Sequence, residues 1–402
     1  LTRKDRAMKQ IIHIYGASGS GTSTIGKKIC DELGYRFMDT DDYFWMPTNP
    51  KFTTKREKNE RLRLMKEDIK VSENVVISGS LVDWGDELIP QFTLVIRVVT
   101  DTDIRIGRLH KREYQRFGSR IEAGGDMFEN HKEFIAWAKE YDTGGIDMRS
   151  KAKHDDWQQL LSCHQVIIDG SKDLNQNFDV IKREIDFIQI LEKVKMSIID
   201  IFEGDSSGHD YWHSIRVFRN VCKISNAYES DWEVVALAAL LHDTDDRKLF
   251  ETKNYENARK IIWDCNIDDE KQESVIDVIK TVSYKGEDTI VPQTIEGKIV
   301  QDADRLDAIG AIGIARTFAF GGSRGRKMYD PNQGPIEYLK EEDYKSYEGT
   351  TINHFYEKLF LLKNMLNTDC AKSIANGRDN FMHQFIEEFY CEWNGEKNYP
   401  VH

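Results

Sequence analysis

Cysteine is scarce in this sequence, and what there is stands apart. Six cysteines occur in 402 residues, at positions 30, 163, 222, 265, 370 and 391, with no C-x-x-C pair among them. That spacing argues against a disulfide framework or a zinc knuckle and fits reduced thiols. Long apolar runs are missing too, since no stretch approaches the roughly 20 consecutive apolar residues a membrane span requires. Positive charge is in deficit: the net charge is −13. A broad nucleic-acid surface needs a basic footprint, so no nucleic-acid partner is expected, although local basic clusters can still hold single phosphates. The start of the chain, Leu1-Thr-Arg-Lys-Asp-Arg, lacks a signal-peptide pattern, and the expected location is cytoplasmic.

What is present is enough for a packed core, with 40% hydrophobic and 31% charged residues. A chain of this length exceeds one ordinary core, so two domains are expected. The first part alternates short β-branched runs, at 11–15, 35–38, 75–77, 94–99 and 166–168, with amphipathic stretches at 24–33, 55–71, 102–116, 127–141 and 155–161. Strands alternating with helices predict a doubly wound, parallel α/β sheet. A polar stretch at 169–177 follows, and beyond it nearly every segment has helical periodicity. One stripe is Ile215, Phe218, Val221 and Cys222; residues 234–241 are apolar all round, as in a central helix. The expected division is therefore an α/β domain over 1–172 and an all-α domain over 178–402.

In the helical part, His213, the pair His242-Asp243, and Asp304 are the residue types that form the first shell of a divalent transition metal. His242 and Asp243 end the most apolar helix, where two ionisable groups are costly unless paired or coordinated. Asp302, Asp304 and Asp307 crowd three carboxylates beside Arg305, which calls for a cation or an arginine to relieve the repulsion. The H…HD…D set resembles the HD phosphohydrolase superfamily. The surrounding words, Gly208-His209-Asp210-Tyr-Trp-His213-Ser-Ile-Arg216, Leu240-Leu-His242-Asp243 and Asp302-Ala-Asp304-Arg305-Leu-Asp307, are similar to its bacterial nucleotide pyrophosphohydrolase branch across about 195–395. The resemblance implies a metal held by His213, His242, Asp243 and Asp304, with Asp302 and Asp307 behind them. Mn, Fe, Co, Ni and Zn all suit such a mixed N/O set. Asp246 is the candidate general acid or base, as related alarmone hydrolases carry an acidic residue at that offset; it would share a face with Asp243 if the helix continues. His209, Lys248 and Arg305 complete the catalytic candidates. Arg216, Arg324, Arg326, Lys327, His354 and Lys358 are candidate substrate binders, with Gly321-Gly322-Ser-Arg324-Gly-Arg326-Lys327 the best anion cradle.

The first strand runs into a glycine-rich turn, Gly16-Ala-Ser18-Gly19-Ser20-Gly21-Thr22-Ser23-Thr24, before a helix. A phosphate-binding loop reads G-x-x-x-x-G-K-[ST], and here Thr22 stands at the lysine position. Backbone amides and the helix dipole can still hold phosphates. Lys27 and Lys28, one turn on, are partial substitutes for the charge. This part of the chain, about 9–170, resembles the nucleoside-monophosphate and shikimate kinases. The resemblance implies an acceptor and magnesium motif at Asp39 and Asp41, a lid segment with Arg105, Arg108, Lys111 and Arg112, a further lid arginine at Arg149, and Mg with ATP as ligand.

Together these readings describe a bifunctional cytoplasmic protein. Its HD domain would hydrolyse a nucleoside di- or triphosphate, releasing phosphate or pyrophosphate, and its kinase-like domain would bind ATP. Two alternatives stay open: a nucleotide or nucleoside kinase with an accessory HD phosphatase, and a nucleotide sensor in which neither site turns over. The expected partners are a phosphorylated small molecule, ATP and a second copy of the chain.

Overall fold

The computed structural model describes residues 9–49, 51–202, 210–246, 250–282, 290–336 and 349–396. The chain divides into two compact units, Leu1–Gln189 and Ile190–His402.

The first unit is built on five parallel strands: β1 (Ile11–Gly16), β2 (Arg36–Asp39), β3 (Val75–Ser78), β4 (Leu94–Val99) and β5 (His164–Asp169). They lie in the order β2-β3-β1-β4-β5, with Ile12 opposite Val76 on one side and Leu94 on the other. The expected α/β architecture is therefore present, strand for strand. Because side chains alternate across a strand, β1 feeds two cores. Ile11 and Tyr15 join Met38, Met65, Val75, Ile77, Leu81 and Trp157 on one face. Ile12 and Ile14 join Ile25, Ile29, Val76, Leu94 and Ile96 on the other. Helices α1 (Thr22–Leu33), α2 (Thr40–Phe44), α3 (Lys58–Val71), α4 (Thr102–Phe117), α5 (Phe128–Lys139) and α6 (Lys151–Gln158) flank the sheet.

The division between units falls later than the polar stretch at 169–177. It lies inside the 28-residue helix α7 (Leu174–Ile201). The reason is packing: Phe178, Ile181, Ile185 and Ile188 bury their side chains in the β1 core, so the first half of α7 belongs to the α/β unit despite its helical texture.

The second unit is helical throughout its described residues, with α8 (Tyr211–Ser225), α9 (Trp232–Leu241), α10 (Glu256–Asp264), α11 (Asp269–Val282), α12 (Ile295–Asp307), α13 (Gly310–Ser323) and a final helix Asp369–Asn394. The apolar run at 234–241 is its centre: every residue from Val234 to Leu241 is buried. A helix buried on all sides cannot continue into charge, and α9 stops at Leu241, so His242 and Asp243 emerge from the core into a turn. No helix among the described residues is long and apolar enough to cross a membrane.

Candidate metal centre and nucleotide pocket

Three helix segments carry the metal candidates. Asp210 caps α8 by accepting from the His213 amide at 2.8 Å, which fixes the first turn and turns His213 inward. His242 and Asp243 leave the end of α9, and Asp304 sits in the last turn of α12. These segments converge. His213 Nε2 lies 3.1 Å from His242 Nε2, 3.3 Å from Asp243 Oδ2 and 3.3 Å from Asp304 Oδ1. His242 Nε2 lies 3.5 Å from Asp243 Oδ1 and 3.7 Å from Asp304 Oδ1.

The remaining ring nitrogens settle the tautomers. His213 Nδ1 donates to Asp307 Oδ2 at 2.7 Å, and His242 Nδ1 donates to the Ala239 carbonyl at 3.0 Å. In neutral imidazoles, both Nε2 atoms are then acceptors, aimed at one another and at two carboxylates. Four lone-pair donors around one point repel unless a cation lies among them. Donors about 2.0–2.2 Å from a divalent ion sit roughly 3.0–3.5 Å apart, so the residues present fit such an ion. His213, His242 and Asp304 each offer one atom to a common centre. Without the ion, burial works against charge on His213, yet its hydrogen bonds to Asp243, Asp304 and Asp307 outweigh that and raise its pKa well above the ordinary value, so a proton on Nε2 relieves the same repulsion.

Asp307 is the hub behind His213. Arg216 grips it with Nε–Oδ1 at 2.7 Å and Nη2–Oδ2 at 3.0 Å, and Arg316 Nη1 reaches Oδ2 at 2.7 Å. Burial alone would push the Asp307 carboxyl up, but the bonds from His213 and Arg216 hold it well below the usual range. Arg216, expected to bind substrate, is instead committed to this carboxylate, because its fork matches the carboxylate bidentately. Arg316 was missed; nine residues and a break between α12 and α13 separate it from Asp307, so no helical spacing links the two. Asp302 serves elsewhere, accepting from the Asn367 and Thr368 amides and the Thr368 hydroxyl at 2.7–3.1 Å.

The other candidates divide. Arg305, expected to be catalytic, directs Nη1 at the Met365 carbonyl and packs as a buried tether. Asp246 follows a turn rather than a helix, its amide bonding Asp243 O at 3.1 Å, so the shared helical face with Asp243 does not form. Burial lowers the pKa of Lys358 to about 8, against the pull of the Asp304 carboxylate. His354 is lowered to about 3 by burial, with Lys358 and Arg326 adding to the effect. Arg324, exposed, ends α13 with its guanidinium 5.5 Å from the Phe320 ring, and Lys327 pairs with Asp330 at 2.9 Å. His209 and Lys248 lie outside the described residues.

In the α/β unit, the glycine-rich loop lies at the carboxyl end of β1, where open α/β sheets bind ligands. Gly21, at φ 108°, caps α1 in a conformation that side chains disfavour, and a Cβ on Gly16 would meet the Val98 carbonyl at 2.4 Å. Ser23 Oγ stands 3.4 Å from Asp39 Oδ2, the hydroxyl–carboxylate pair a magnesium ion would use. The loop opens on a cavity of about 580 Å³ lined by Gly16, Ser18, Gly19, Thr22, Ser23, Asp39, Asp41, Arg112 and Arg149, with Trp45, Trp84, Phe134 and Trp137 also in its walls. Arg108 is tied to the Ser20 and Gly170 carbonyls at 3.3 and 3.0 Å, holding the loop rather than facing the cavity. Arg105 is fully buried and bonded to Thr100 O and Asp142. Ser20 is buried inside the loop and Thr24 is exposed on α1. Lys27 and Lys28 turn away, one over the Phe37 ring at 5.7 Å and the other onto Glu32 at 2.6 Å. Neither replaces the missing charge.

Comparison with known proteins matches both descriptions. Residues 211–309 fit the model of the HD domain. YqaC of Bacillus subtilis is 41% identical over 181 residues, 45% of this chain and 98% of that protein. YpgQ of the same organism is 36% identical over 203 residues, 49% of this chain and 90% of that protein. A crystal structure of YpgQ in complex with ADP covers 52% of this chain and 96% of its own, at 32% identity and TM-score 0.43. A cytidylate kinase of Archaeoglobus fulgidus is 28% identical over 113 residues, 25% of this chain and 61% of that protein.

Proposed function

The chain belongs to the HD superfamily through its C-terminal unit, carries an N-terminal region similar to kinases, and on that premise we propose that it hydrolyses a nucleoside di- or triphosphate at the His213–His242–Asp243–Asp304 centre. The observation that carries this reading is the pair of Nε2 atoms aimed at one another at 3.1 Å between two carboxylates. His213, His242, Asp243 and Asp304 would hold a divalent cation, which when bound would supply polarisation of a phosphoryl oxygen and a nucleophile at neutral pH. The residues themselves do the rest. Asp307 keeps His213 in the tautomer that presents Nε2, with Arg216 and Arg316 holding Asp307. Lys358, whose charge feels the Asp304 carboxylate, is a further phosphate donor in this reading. Arg324 and Arg326 follow on the same unit as further phosphate donors. The relative YpgQ has been crystallised with ADP, and a nucleotide is the ligand class we assign here.

The N-terminal unit binds ATP with Mg, the loop amides taking the phosphates and Ser23 and Asp39 facing the metal. A second activity there, phosphoryl transfer to an acceptor, is favoured by the cavity, whose walls include Trp45, Trp84 and Trp137 beside the loop residues. The test is a nucleotide-panel hydrolysis assay with each divalent metal in turn, reading phosphate and pyrophosphate separately. Turnover of at least one nucleotide, dependent on metal, is expected. Absence of turnover across the panel with metal bound would leave the sensor reading standing.

A further inference from the structure

Ser80 stands just beyond β3 in the wall of the cavity, yet it is buried. Behind it runs a chain of polar groups into the interior of the α/β unit. Ser80 Oγ lies 3.2 Å from His154 Nε2 on α6, and His154 Nδ1 lies 2.8 Å from the hydroxyl of Tyr141, in the turn Glu140–Asp142. Arg97 of β4 comes next. Its guanidinium acts on the Tyr141 oxygen as a hydrogen-bond donor, and Asp155 and the Gln158 side-chain oxygen hold it in place, each at 2.6 Å. Both ends of the His154 link are pinned. Trp84 Nε1 donates to the Ser80 carbonyl at 3.1 Å, and the rings of Tyr15 and Tyr141 stand edge-on to the buried imidazole, with centroids 5.1 and 5.4 Å away.

The protons of this chain run in one direction. A guanidinium offers donors and no acceptor, so the Tyr141 oxygen accepts from Arg97. Its own proton then goes to His154 Nδ1, the acceptor it meets among the described residues. Burial, with the charges of Arg149 and Arg97 adding to it, lowers the His154 pKa to about 3. The ring is therefore neutral, and with Nδ1 accepting, its one proton sits on Nε2 and is donated to Ser80 Oγ. That leaves the Ser80 hydroxyl proton, for which no acceptor stands among the described residues. An unmet donor on a buried side chain is costly. A ligand atom in the cavity would meet it.

We propose that the relay Arg97–Tyr141–His154 sets Ser80 as a one-way hydrogen-bond donor to the phosphoryl acceptor in this cavity, meeting an uncharged oxygen or ring nitrogen of that ligand. The inference rests on the reading of the N-terminal unit as a site of phosphoryl transfer and adds which group orients the acceptor. The uncharged class follows from the surroundings. His154 brings no charge, and Lys153, its neighbour on α6 and also in the cavity wall, is paired with Asp83 at 2.6 Å. Because His154 Nε2 already carries a proton, Ser80 cannot pass one back along the relay, so the chain orients a ligand and does not serve as its base. Tyr141 and His154 are positioning residues that act through Ser80. Hydrogen bonds linked in this way polarise one another, so each link strengthens the donor at the cavity end.

Full-length protein with Mg and a non-hydrolysable ATP analogue is titrated with a panel of nucleosides and nucleoside monophosphates. Wild type, Ser80→Ala, Tyr141→Phe and the double variant are compared. For the tightest binder of the panel, Ser80→Ala should weaken affinity about 3–10-fold and Tyr141→Phe about threefold, as expected for one lost and one weakened hydrogen bond. The double variant should match Ser80→Ala within about twofold, because Tyr141 reaches the ligand only through Ser80. Nitrogen NMR of the labelled His154 ring, assigned by its loss in His154→Gln, should show the Nε2–H tautomer in wild type and a mixture in Tyr141→Phe. Losses that add in the double variant overturn the proposal, since they would make Tyr141 a packing residue. An Nδ1–H tautomer in wild type overturns it too, because the chain would then run the other way. So does panel affinity unchanged in Ser80→Ala. A wild-type protein that binds no member of the panel removes the acceptor site itself and the proposal with it, a result distinct from binding that is indifferent to Ser80→Ala.

Discussion

Replacing Asp307 by asparagine keeps the shape of the side chain and removes its charge, and the structure gives two consequences. His213 Nδ1 loses a carboxylate partner at 2.7 Å and can meet an amide in either orientation, so its Nε2 is no longer held as the free acceptor. Partners of this kind are worth about 10–100-fold in metal affinity, or about 1.4–2.7 kcal/mol. Arg216 and Arg316 lose their common anion. Breaking a fully buried ion pair costs about 3–5 kcal/mol; Asp307 is 3% exposed but the arginines are 26% and 21% exposed, which water partly screens, so the lower part of that range is expected. Competition of a chelator against Zn or Mn measures the first effect, and thermal melting of the metal-free protein measures the second. The control lies five residues away. Asp302→Asn removes a buried carboxylate that holds the Asn367–Thr368 backbone, so it should lower the melting temperature and leave metal affinity within about threefold. Wild-type metal affinity in Asp307→Asn, or equal losses in the two variants, would refute the assignment of Asp307 as the residue that orients His213.

Three further outcomes follow from the same geometry. Changing Arg324 and Arg326 together to alanine should raise KM for the best nucleotide about tenfold or more while metal content stays at the wild-type value; unchanged saturation kinetics would remove that loop from the site. His13 and His154 are buried, with pKa values lowered to about 3, chiefly by desolvation. Between pH 6.5 and 3 the unfolded chain binds protons that the folded unit does not, so stability falls as pH falls, by about 1.4 kcal/mol per pH unit for each histidine. Urea unfolding of the N-terminal unit at pH 7 and pH 5 should therefore differ, and equal midpoints would mean that these rings take up protons in the folded state. Finally, Asp39→Asn should weaken the dependence of ATP binding on Mg by about tenfold, read by titration with and without the ion, because Asp39 and Ser23 present the oxygens for it. A magnesium dependence identical to wild type would place the ion elsewhere.

Much of this was legible in the sequence because it depends on local pattern. The five β-branched runs became the five strands, and the run at 234–241 became the buried centre of the second unit. His213, His242, Asp243 and Asp304 could be grouped through their flanking words, although their separation in the chain gave no distances. What was not legible depends on which groups meet across long separations. Arg216 and Asp307 are 91 residues apart, and a basic side chain beside a metal motif reads as a phosphate binder until its carboxylate partner is seen. Lys27 and Lys28 stand at the right place in the chain but face Phe37 and Glu32. The first half of α7 has the texture of the helical unit and the packing of the sheet, since a stripe of Phe178, Ile181, Ile185 and Ile188 does not say which surface it covers.

In the function proposed above, four side chains from three helix segments hold one divalent cation, and phosphate hydrolysis depends on it. Asp243→Asn removes a donor and a negative charge together while leaving both histidines and the glycine-rich loop in place. The decisive measurement is metal stoichiometry alongside nucleotide hydrolysis, in wild type and in this variant, after stripping and reloading with metal. About one ion and restored turnover are expected for wild type, with both lost in Asp243→Asn while ATP still binds the N-terminal unit. A reloaded Asp243→Asn protein with full metal content and wild-type turnover would contradict it.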